Sequence, residues 1–514
     1  MRLSPTRERR ALTALDRRSN FQPCSHPRHL LTEVISHMKP LATAILILCA
    51  VATQRADAAD QPNMLFIIAD DCTFRDIGCY GGQAHTPNID QLATEGMRMT
   101  HCFQCAPMCS PTRHNIYTGQ YPVKTGAYPN HTSTYDHIKN ITHFLKPLGY
   151  RVALSGKTHI GPRSLFQFEY SGNKNPDMKA ISKLMSECAE TDTPFCLFAC
   201  SNEPHTPWNK GDASRYPPDA IELPPYLADT PVVREGFSRY LAEITYYDSQ
   251  VGQLLELLDK HDLADNTLVV VVSEQGNSLP FAKWTCYDNG LQSAMIVRWP
   301  GHVEPNSVSD AMVEYVDVTP TFVDVAGGTP DPTLDGRSFR DIITGKKKEH
   351  KEFVFGEMTT KGIINGNASY PIRSVRSRTH KLILNLQHDQ AFTNACTKSA
   401  EFQSIKAAAD SGDATAQRVV DRYQHRPAIE FYDVIEDPLE MHNLADHPEH
   451  AATIAELRHQ LDQWMKSQGD EGVATEKLAN HHKKGKATKG KDPPGNGSNP
   501  QKNKKRQRKQ QAPS

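Results

Sequence analysis

The chain has 514 residues, 38% hydrophobic and 23% charged, enough for one large domain and a smaller one. Its net charge of −1 hides two basic ends: residues 1–58 carry 9 basic and 4 acidic side chains, and residues 477–514 carry 12 and 1, which leaves the body at −17. An acidic body argues against a nucleic-acid partner, so any anionic substrate must be captured by a local basic cluster.

Residues 1–37 are Arg-rich and show little hydrophobic periodicity. Met38-Lys39-Pro40 then precedes an apolar run over 41–52, which ends in Ala56-Asp57-Ala58. A positive start, about a dozen apolar residues and an Ala-x-Ala end predict a cleaved secretory signal, with Met38 as the start and Ala59 as the mature N-terminus. The run is too short for a stable membrane span. The expected location is therefore secreted or periplasmic. Leu48 is too large to make Cys49 a usual lipidation site. Signal removal leaves ten of twelve cysteines. Cys102, Cys105 and Cys109 have no matching second cluster, so a zinc site is not expected.

Asn63-Met64-Leu65-Phe66-Ile67-Ile68-Ala69 reads as a fully buried parallel strand ending in Asp70-Asp71. Adjacent carboxylates there repel unless a cation holds them, and oxygen ligands suit calcium or magnesium. An Asp pair can also serve as a helix cap plus a surface charge. A helix is predicted from Pro87-Asn88-Ile89-Asp90 to Gly96. Cys109-Ser110-Pro111-Thr112-Arg113 reads as a loop feeding a helix, with Pro111 in the first helical position. A helix N-terminus suits an anion or a thiolate, and Arg113 adds donors that stay charged. The same five residues also fit one buried cysteine on an ordinary helix.

Four more strands are predicted. Residues 151–155 end at Gly156-Lys157, Phe195–Cys200 at Ser201-Asn202, and Thr267–Val272 at Ser273-Glu274, while 294–297 precede Arg298-Trp299-Pro300. Between them a helix over about 237–261 aligns Leu241, Ile244, Val251, Leu254, Leu255 and Leu258 on one face. This alternation implies a doubly wound α/β sheet, in which ligands gather at the carboxyl ends of strands. Lys157 and His159, two apart on an extended loop, would project to one side. From about 350 the texture changes to short strands around 352–356, 373–375 and 381–384, and a helix at about 450–467 closes the region. The Lys-, Gly- and Pro-rich residues beyond about 475 cannot form a core and are expected to be disordered.

Cys109-Ser110-Pro111-Thr112-Arg113 followed by Tyr117-Thr118-Gly119 resembles the signature of the type I sulfatases, in the alkaline-phosphatase-like superfamily. The likeness covers about residues 60–465. It implies an α/β fold with a large doubly wound mixed sheet flanked by helices, and a smaller C-terminal α+β domain carrying an antiparallel sheet. The expected division is a signal region over 1–58, a catalytic domain over 59–349, a smaller domain over 350–474 and a basic tail over 475–514. In that family the cysteine is oxidised to formylglycine by a formylglycine-generating enzyme, and its hydrated aldehyde is the nucleophile. Nine cysteines would then remain, so at least one thiol stays free.

The resemblance also implies a calcium ion held by Asp70, Asp71, Glu274, Gln275 and the residue at Cys109. The family usually has Asp followed by Asn or His where this chain has Glu274-Gln275. These side chains are one methylene longer but still offer oxygens. By the same resemblance Lys157 and Lys283 contact the sulfate, and Arg113 helps hold the nucleophile. His205 contacts sulfate and, alone or with Lys283, donates a proton to the leaving group, and His159 takes the proton of the second hydroxyl. A phosphatase or phosphodiesterase of the superfamily would instead use Ser or Thr and zinc held by several histidines. A non-catalytic carbohydrate-binding protein would have lost the nucleophile or metal ligands. Gly156-Lys157-Thr158-His159-Ile160-Gly161-Pro162 and Tyr370-Pro371-Ile372-Arg373-Ser374-Val375 resemble the heparan N-sulfatase (sulfamidase) branch. A sulfated carbohydrate is therefore the expected substrate, N-sulfated glucosamine first and an O-sulfated polysaccharide second. Arg373 is expected either to contact a uronate or sulfate group or to bridge the two domains.

Overall fold

A strand that is apolar on both faces must lie in a sheet covered on both sides. Asn63–Ile68, Phe195–Cys200 and Thr267–Val272 meet that condition, since every residue in all three is buried. They are the centre of the protein in a computed structural model that describes residues 61–479. The predicted signal and residues 480–514 lie outside the described residues.

In chain order the larger sheet contains β1 (Asn63–Ile68), β2 (Met97–Phe103), β3 (Arg151–Gly156), β4 (Glu169–Ser171), β5 (Phe195–Cys200), β6 (Thr267–Val272), β7 (Gln292–Arg298), β8 (Ser307–Ser309) and β9 (Val313–Glu314). Across the sheet they run β4-β3-β5-β1-β6-β7-β2-β8, with β9 also on β2. From β4 to β6 neighbours are parallel; β7 runs antiparallel to both β6 and β2. The sheet is therefore mixed, as expected. The sequence reading overlooked β2, whose Arg98, Thr100 and His101 interrupt the apolar pattern.

Side chains alternate between the two faces. Leu65, Ile67, Val269 and Val271 pack with the helices Pro87–Glu95, Met178–Thr191 and Pro231–Lys260. Phe66, Ile68, Val270 and Val272 pack on the other face with Phe322 of the helix Val318–Val325. The helix predicted from about 237 starts earlier, because Pro231 fits its first turn and Thr230 caps it by accepting from Val233 N at 3.2 Å.

Register brings the strand ends level. Ile68 of β1 lies opposite both Cys200 of β5 and Val272 of β6, and Gly156 of β3 lies opposite Cys200. Gly156 has φ +99°, and a Cβ there would stand 2.1 Å from Cys200 O. Only glycine allows this closeness of β3 to β5 without strain.

The smaller sheet is an antiparallel meander of β10 (Val354–Met358), β11 (Ile372–Arg376), β12 (His380–Asn385) and β13 (Ile429–Asp433). The helix Ala451–Gln468 covers it through Leu457, Leu461 and Trp464, which pack with Val375, Leu382, Leu384 and Phe431. Two helices absent from the sequence reading, Ala400–Asp410 and Ala414–Gln424, join the core on one face of the larger sheet through Phe402, Ile405 and Val419. Ala414–Gln424 carries a regular apolar face, Ala416, Val419, Val420 and Tyr423, that the sequence reading overlooked.

Two expectations change. Arg373 is completely buried on β11. Its Nε and Nη2 grip Asp470 and its Nη1 donates to Met358 O at 3.2 Å. It therefore anchors the segment around Asp470 and has no exposure with which to meet a sugar. The fold also continues past residue 475. The helix Val473–Leu478 buries Glu476, whose Oε1 accepts from Thr360 N at 3.0 Å and Thr360 Oγ1 at 2.6 Å. All ten cysteines in the described residues are free thiols. Among the described residues no helix is long and apolar enough to cross a membrane.

Candidate active site

Because the strand ends are level, the polar residues that follow them converge. Asp70 and Asp71 follow β1, Lys157 follows β3, His205 follows β5, and Glu274 and Gln275 follow β6. Asp71 adopts φ +64°, so the chain turns immediately after β1. The fifth contribution is the helix Cys109–Thr118, buried along its whole length. Cys109 is its first residue and Pro111 its third, so the expected first position for Pro111 is corrected by two. The missing N–H still falls within the first turn, where such groups have no intrahelical partner. Met108 provides no side-chain cap. Ligand-forming atoms of Asp70, Asp71 and Cys109 all lie within 4.8 Å of one another.

Arg113, one turn into the helix, is completely buried. Its Nη2 donates to Glu274 Oε2 at 3.1 Å, its Nη1 donates to Lys157 O at 3.1 Å, and its Nε lies 3.0 Å from Glu274 Oε1. Lys157 Nζ pairs with Asp70 Oδ2. Lys283 Nζ lies 2.6 Å from Asp71. Gln275 Nε2 donates to Asp71 Oδ1 at 2.7 Å, and Ser278 Oγ donates to Asp71 Oδ2 at 3.2 Å. His205 presents Nε2 to Asp71 Oδ2 at 3.6 Å, while its Nδ1 donates to Thr206 O at 2.6 Å. That bond fixes the ring and leaves Nε2 on the site side. Lys157 and His205 keep 14% and 32% of their side-chain surface exposed, so the cluster is open to solvent from their side.

His159 departs from the extended loop expected for it. Its φ is +48°, and its Nε2 meets His131 Nδ1 at 2.5 Å. Gly161 N donates to His114 Nε2 at 3.0 Å and Gly161 O accepts from Thr134 N at 2.9 Å, which bends the segment. Sequence reading missed His131 and Ser278. Ser278 lies three residues past Gln275 in the same loop, whereas nothing near His131 in sequence marks it.

The electrostatics are mixed and tightly balanced. Asp70, Asp71 and Glu274 face Arg113, Lys157 and Lys283. Burial alone would raise Asp70, yet Lys157, His205 and Arg113 hold it well below the usual carboxylate range. Burial pushes the Cys109 thiol up to about 12 despite Lys157 and Lys283. An unmodified Cys109 is therefore a thiol at neutral pH and a poor nucleophile. Asp70 Oδ1, Glu274 Oε1 and Gln275 Oε1 are buried without a hydrogen bond. Unsatisfied buried oxygens are costly, and an all-oxygen set of this kind fits a hard divalent cation. A crevice of about 1060 Å³, lined by residues such as Glu314, Lys351 and Trp464, lies elsewhere and contains none of these groups.

Residues 62–328 match the family model for sulfatases, and residues 276–393 match the model for the C-terminal region of N-sulphoglucosamine sulphohydrolase. An ulvan-active sulfatase of Formosa agariphila is 31% identical over 80% of this chain and 81% of its own length. The human N-sulphoglucosamine sulphohydrolase is 26% identical over 86% of this chain and 97% of its own. A solved structure of a protein bound to its substrate D-glucosamine-2-N,6-O-disulfate shares the fold, with a TM-score of 0.61, 18% identity and coverage of 80% of this chain and 99% of that one.

Proposed function

The chain belongs to the sulfatase family and is a sulfuric ester hydrolase, and from that premise we propose that it desulfates sulfated carbohydrates with a formylglycine made from Cys109 and a calcium ion. The observation that carries the reading is the meeting, at the start of a buried helix, of Cys109 with three cationic side chains and three buried oxygens that lack hydrogen bonds. A formylglycine-generating enzyme is the partner this requires.

Asp70, Asp71, Glu274, Gln275 and the modified residue 109 would hold the ion. Bound there, calcium would supply Lewis-acid charge. The formylglycine hydrate would supply a nucleophilic hydroxyl and a second, ionisable one. Arg113, locked by Glu274 and Lys157 O, keeps a fixed positive charge behind residue 109. Lys157, Lys283 and His205 surround the position of the sulfate group and stabilise the charge that develops on it. As the imidazolium, with its Nδ1–H held by Thr206 O, His205 carries a second proton on Nε2 and donates it to the leaving group. His159 accepts the proton of the second hydroxyl.

For the substrate we take N-sulfated glucosamine first, supported by the match over 276–393. An O-sulfated polysaccharide is the second reading, supported by the ulvan-active relative. Mass spectrometry of the Cys109 peptide from the native host is expected to show a loss of about 18 Da against cysteine. Unmodified cysteine would overturn the mechanism. The modified enzyme is then given N-sulfoglucosamine and a panel of O-sulfated sugars. Sulfate release from the O-sulfated sugars alone would replace the first substrate by the second. After chelation, calcium is expected to restore turnover better than zinc, and recovery with zinc alone would point to a phosphatase-type site.

A further inference from the structure

The segment before β3 lays His131 against His159. His159 Nε2 and His131 Nδ1 are 2.5 Å apart, with ring centroids at 4.4 Å and 44° between the ring planes. The backbone holds the pair in place. Asn130 N donates to Lys361 O at 3.0 Å, and Thr134 N donates to Gly161 O at 2.9 Å. The strip that carries His131 is thus tied on one side to the loop after β10 and on the other to the loop that carries His159. Gly362 sits so close beneath it that a Cβ would stand 2.3 Å from Asn130 O. His131 and His159 both take left-handed backbone, at φ +58° and +48°.

His159 has a second feature. Its Nδ1 is buried without a hydrogen bond. A neutral imidazole carries one N–H and one lone pair, so the partner of one nitrogen decides what the other can do. Partial burial, with Lys157, His131 and Arg113 nearby, pushes His159 down to about 2, so the ring is neutral under ordinary conditions. If Nε2 accepted from His131, the proton of His159 would sit on Nδ1, buried with no acceptor and unable to act as a base. If Nε2 donates, Nδ1 is an open lone pair.

We propose that His131 is a positioning residue, whose Nδ1 accepts the Nε2–H of His159 and thereby fixes the tautomer in which His159 Nδ1 is the base. This rests on the reading above in which His159 accepts a proton from residue 109. His131 then plays toward His159 the part that a carboxylate or carbonyl plays behind many ligating and catalytic histidines. His131 is exposed, so the device stands at the rim of the site and acts on the chemistry through His159.

The test uses the full-length, formylglycine-bearing enzyme and a small sulfate ester. His131→Ala and His131→Phe are expected to lower kcat about 10–100-fold with KM unchanged, the scale for loss of such a partner. His131→Gln, whose amide oxygen can accept the same N–H, is expected to recover most of the loss. Thermal melts of the three variants are compared, so that a folding defect is seen directly. Equal losses in all three, a rise in KM with kcat intact, or no loss at all would each overturn the proposal. His159→Ala separates the two readings. If it keeps full activity, the role given to His159 fails. If it is inactive while His131→Ala matches the parent enzyme, only the role of His131 fails.

Discussion

Asp70 and Asp288 are both buried aspartates, and their surroundings differ in one respect. Asp288 places each oxygen against a cation of the smaller sheet: Oδ1 lies 2.7 Å from Lys381 Nζ and Oδ2 lies 3.0 Å from Arg376 Nε. Asp70 has Oδ2 on Lys157, but Oδ1 lies 3.7 Å from Arg113 and makes no hydrogen bond. Glu274 and Gln275 beside it carry further buried oxygens of the same kind. Both oxygens of Asp288 are paired, and they tie the larger sheet to the smaller one. The cluster at the strand ends is open, and open buried oxygens persist where a ligand completes them. Both aspartates are buried and both face cations, so what separates them is the unpaired Oδ1 of Asp70 and the solvent exposure of Lys157, which Lys381 lacks.

The comparison can be broken most sharply at Cys109. Cys109→Ala is expected to reduce turnover below about 1% of the parent while the thermal midpoint stays unchanged, because the nucleophile goes and little core is lost. Turnover well above that level would take the site away from this helix. Lys157→Ala and His205→Ala are each expected to lower kcat about 10²-fold or more, the scale of a lost preorganised charge donor. A pure KM effect would remove them from transition-state stabilisation.

The closed region should respond in the opposite sense. Lys381→Met leaves Asp288 short of one cation in a buried place, which costs about 3–5 kcal/mol of stability, and catalysis per folded molecule should be unchanged. Denaturant titration and active-site titration read the two quantities separately. Burial alone would raise Asp288, but Lys381 and Arg376 hold it well below the usual carboxylate range. Its contribution is therefore fully present above the ordinary aspartate range and is lost as pH falls below that range. Asp288→Asn should be less stable than the parent at neutral pH and show a shallower acid dependence. An unchanged acid slope would mean that this network does not govern acid stability. The smallest effect is expected at the chain end. Removal of residues 480–514 should leave kcat on a small sulfate ester unchanged, whereas ending the chain at Gly472 removes buried Glu476 and should lower the melting temperature. Loss of activity on removing 480–514 would place that segment within the working enzyme.

Much of the site was legible because strand-end residues announce themselves. Asp70-Asp71, Lys157 and Glu274-Gln275 each follow an uninterrupted apolar run, and such runs end at one edge of a parallel sheet. Cys109 and Arg113 were legible through their spacing on a helix start. Arg373 was misread because a positive charge next to a family-like stretch suggests a ligand, while its true partner, Asp470, is 97 residues away. β2 escaped because Arg98, Thr100 and His101 interrupt its pattern, whereas the helix Ala414–Gln424 was overlooked although Ala416, Val419, Val420 and Tyr423 fall on one face.

The sequence by itself determined which segments had to be buried strands and which residue types would stand at their ends, since period and polarity are local properties of the chain. Only the tertiary structure decided how those ends are paired. Register sets Ile68 level with Cys200 and Val272, and that alignment brings carboxylates from two strands and a lysine from a third within reach of one helix start. It also decided that Arg113 faces Glu274, that Arg373 is sealed inside, and that His131 meets His159. Each of these contacts joins residues 28 to 161 positions apart, a separation across which no local propensity acts.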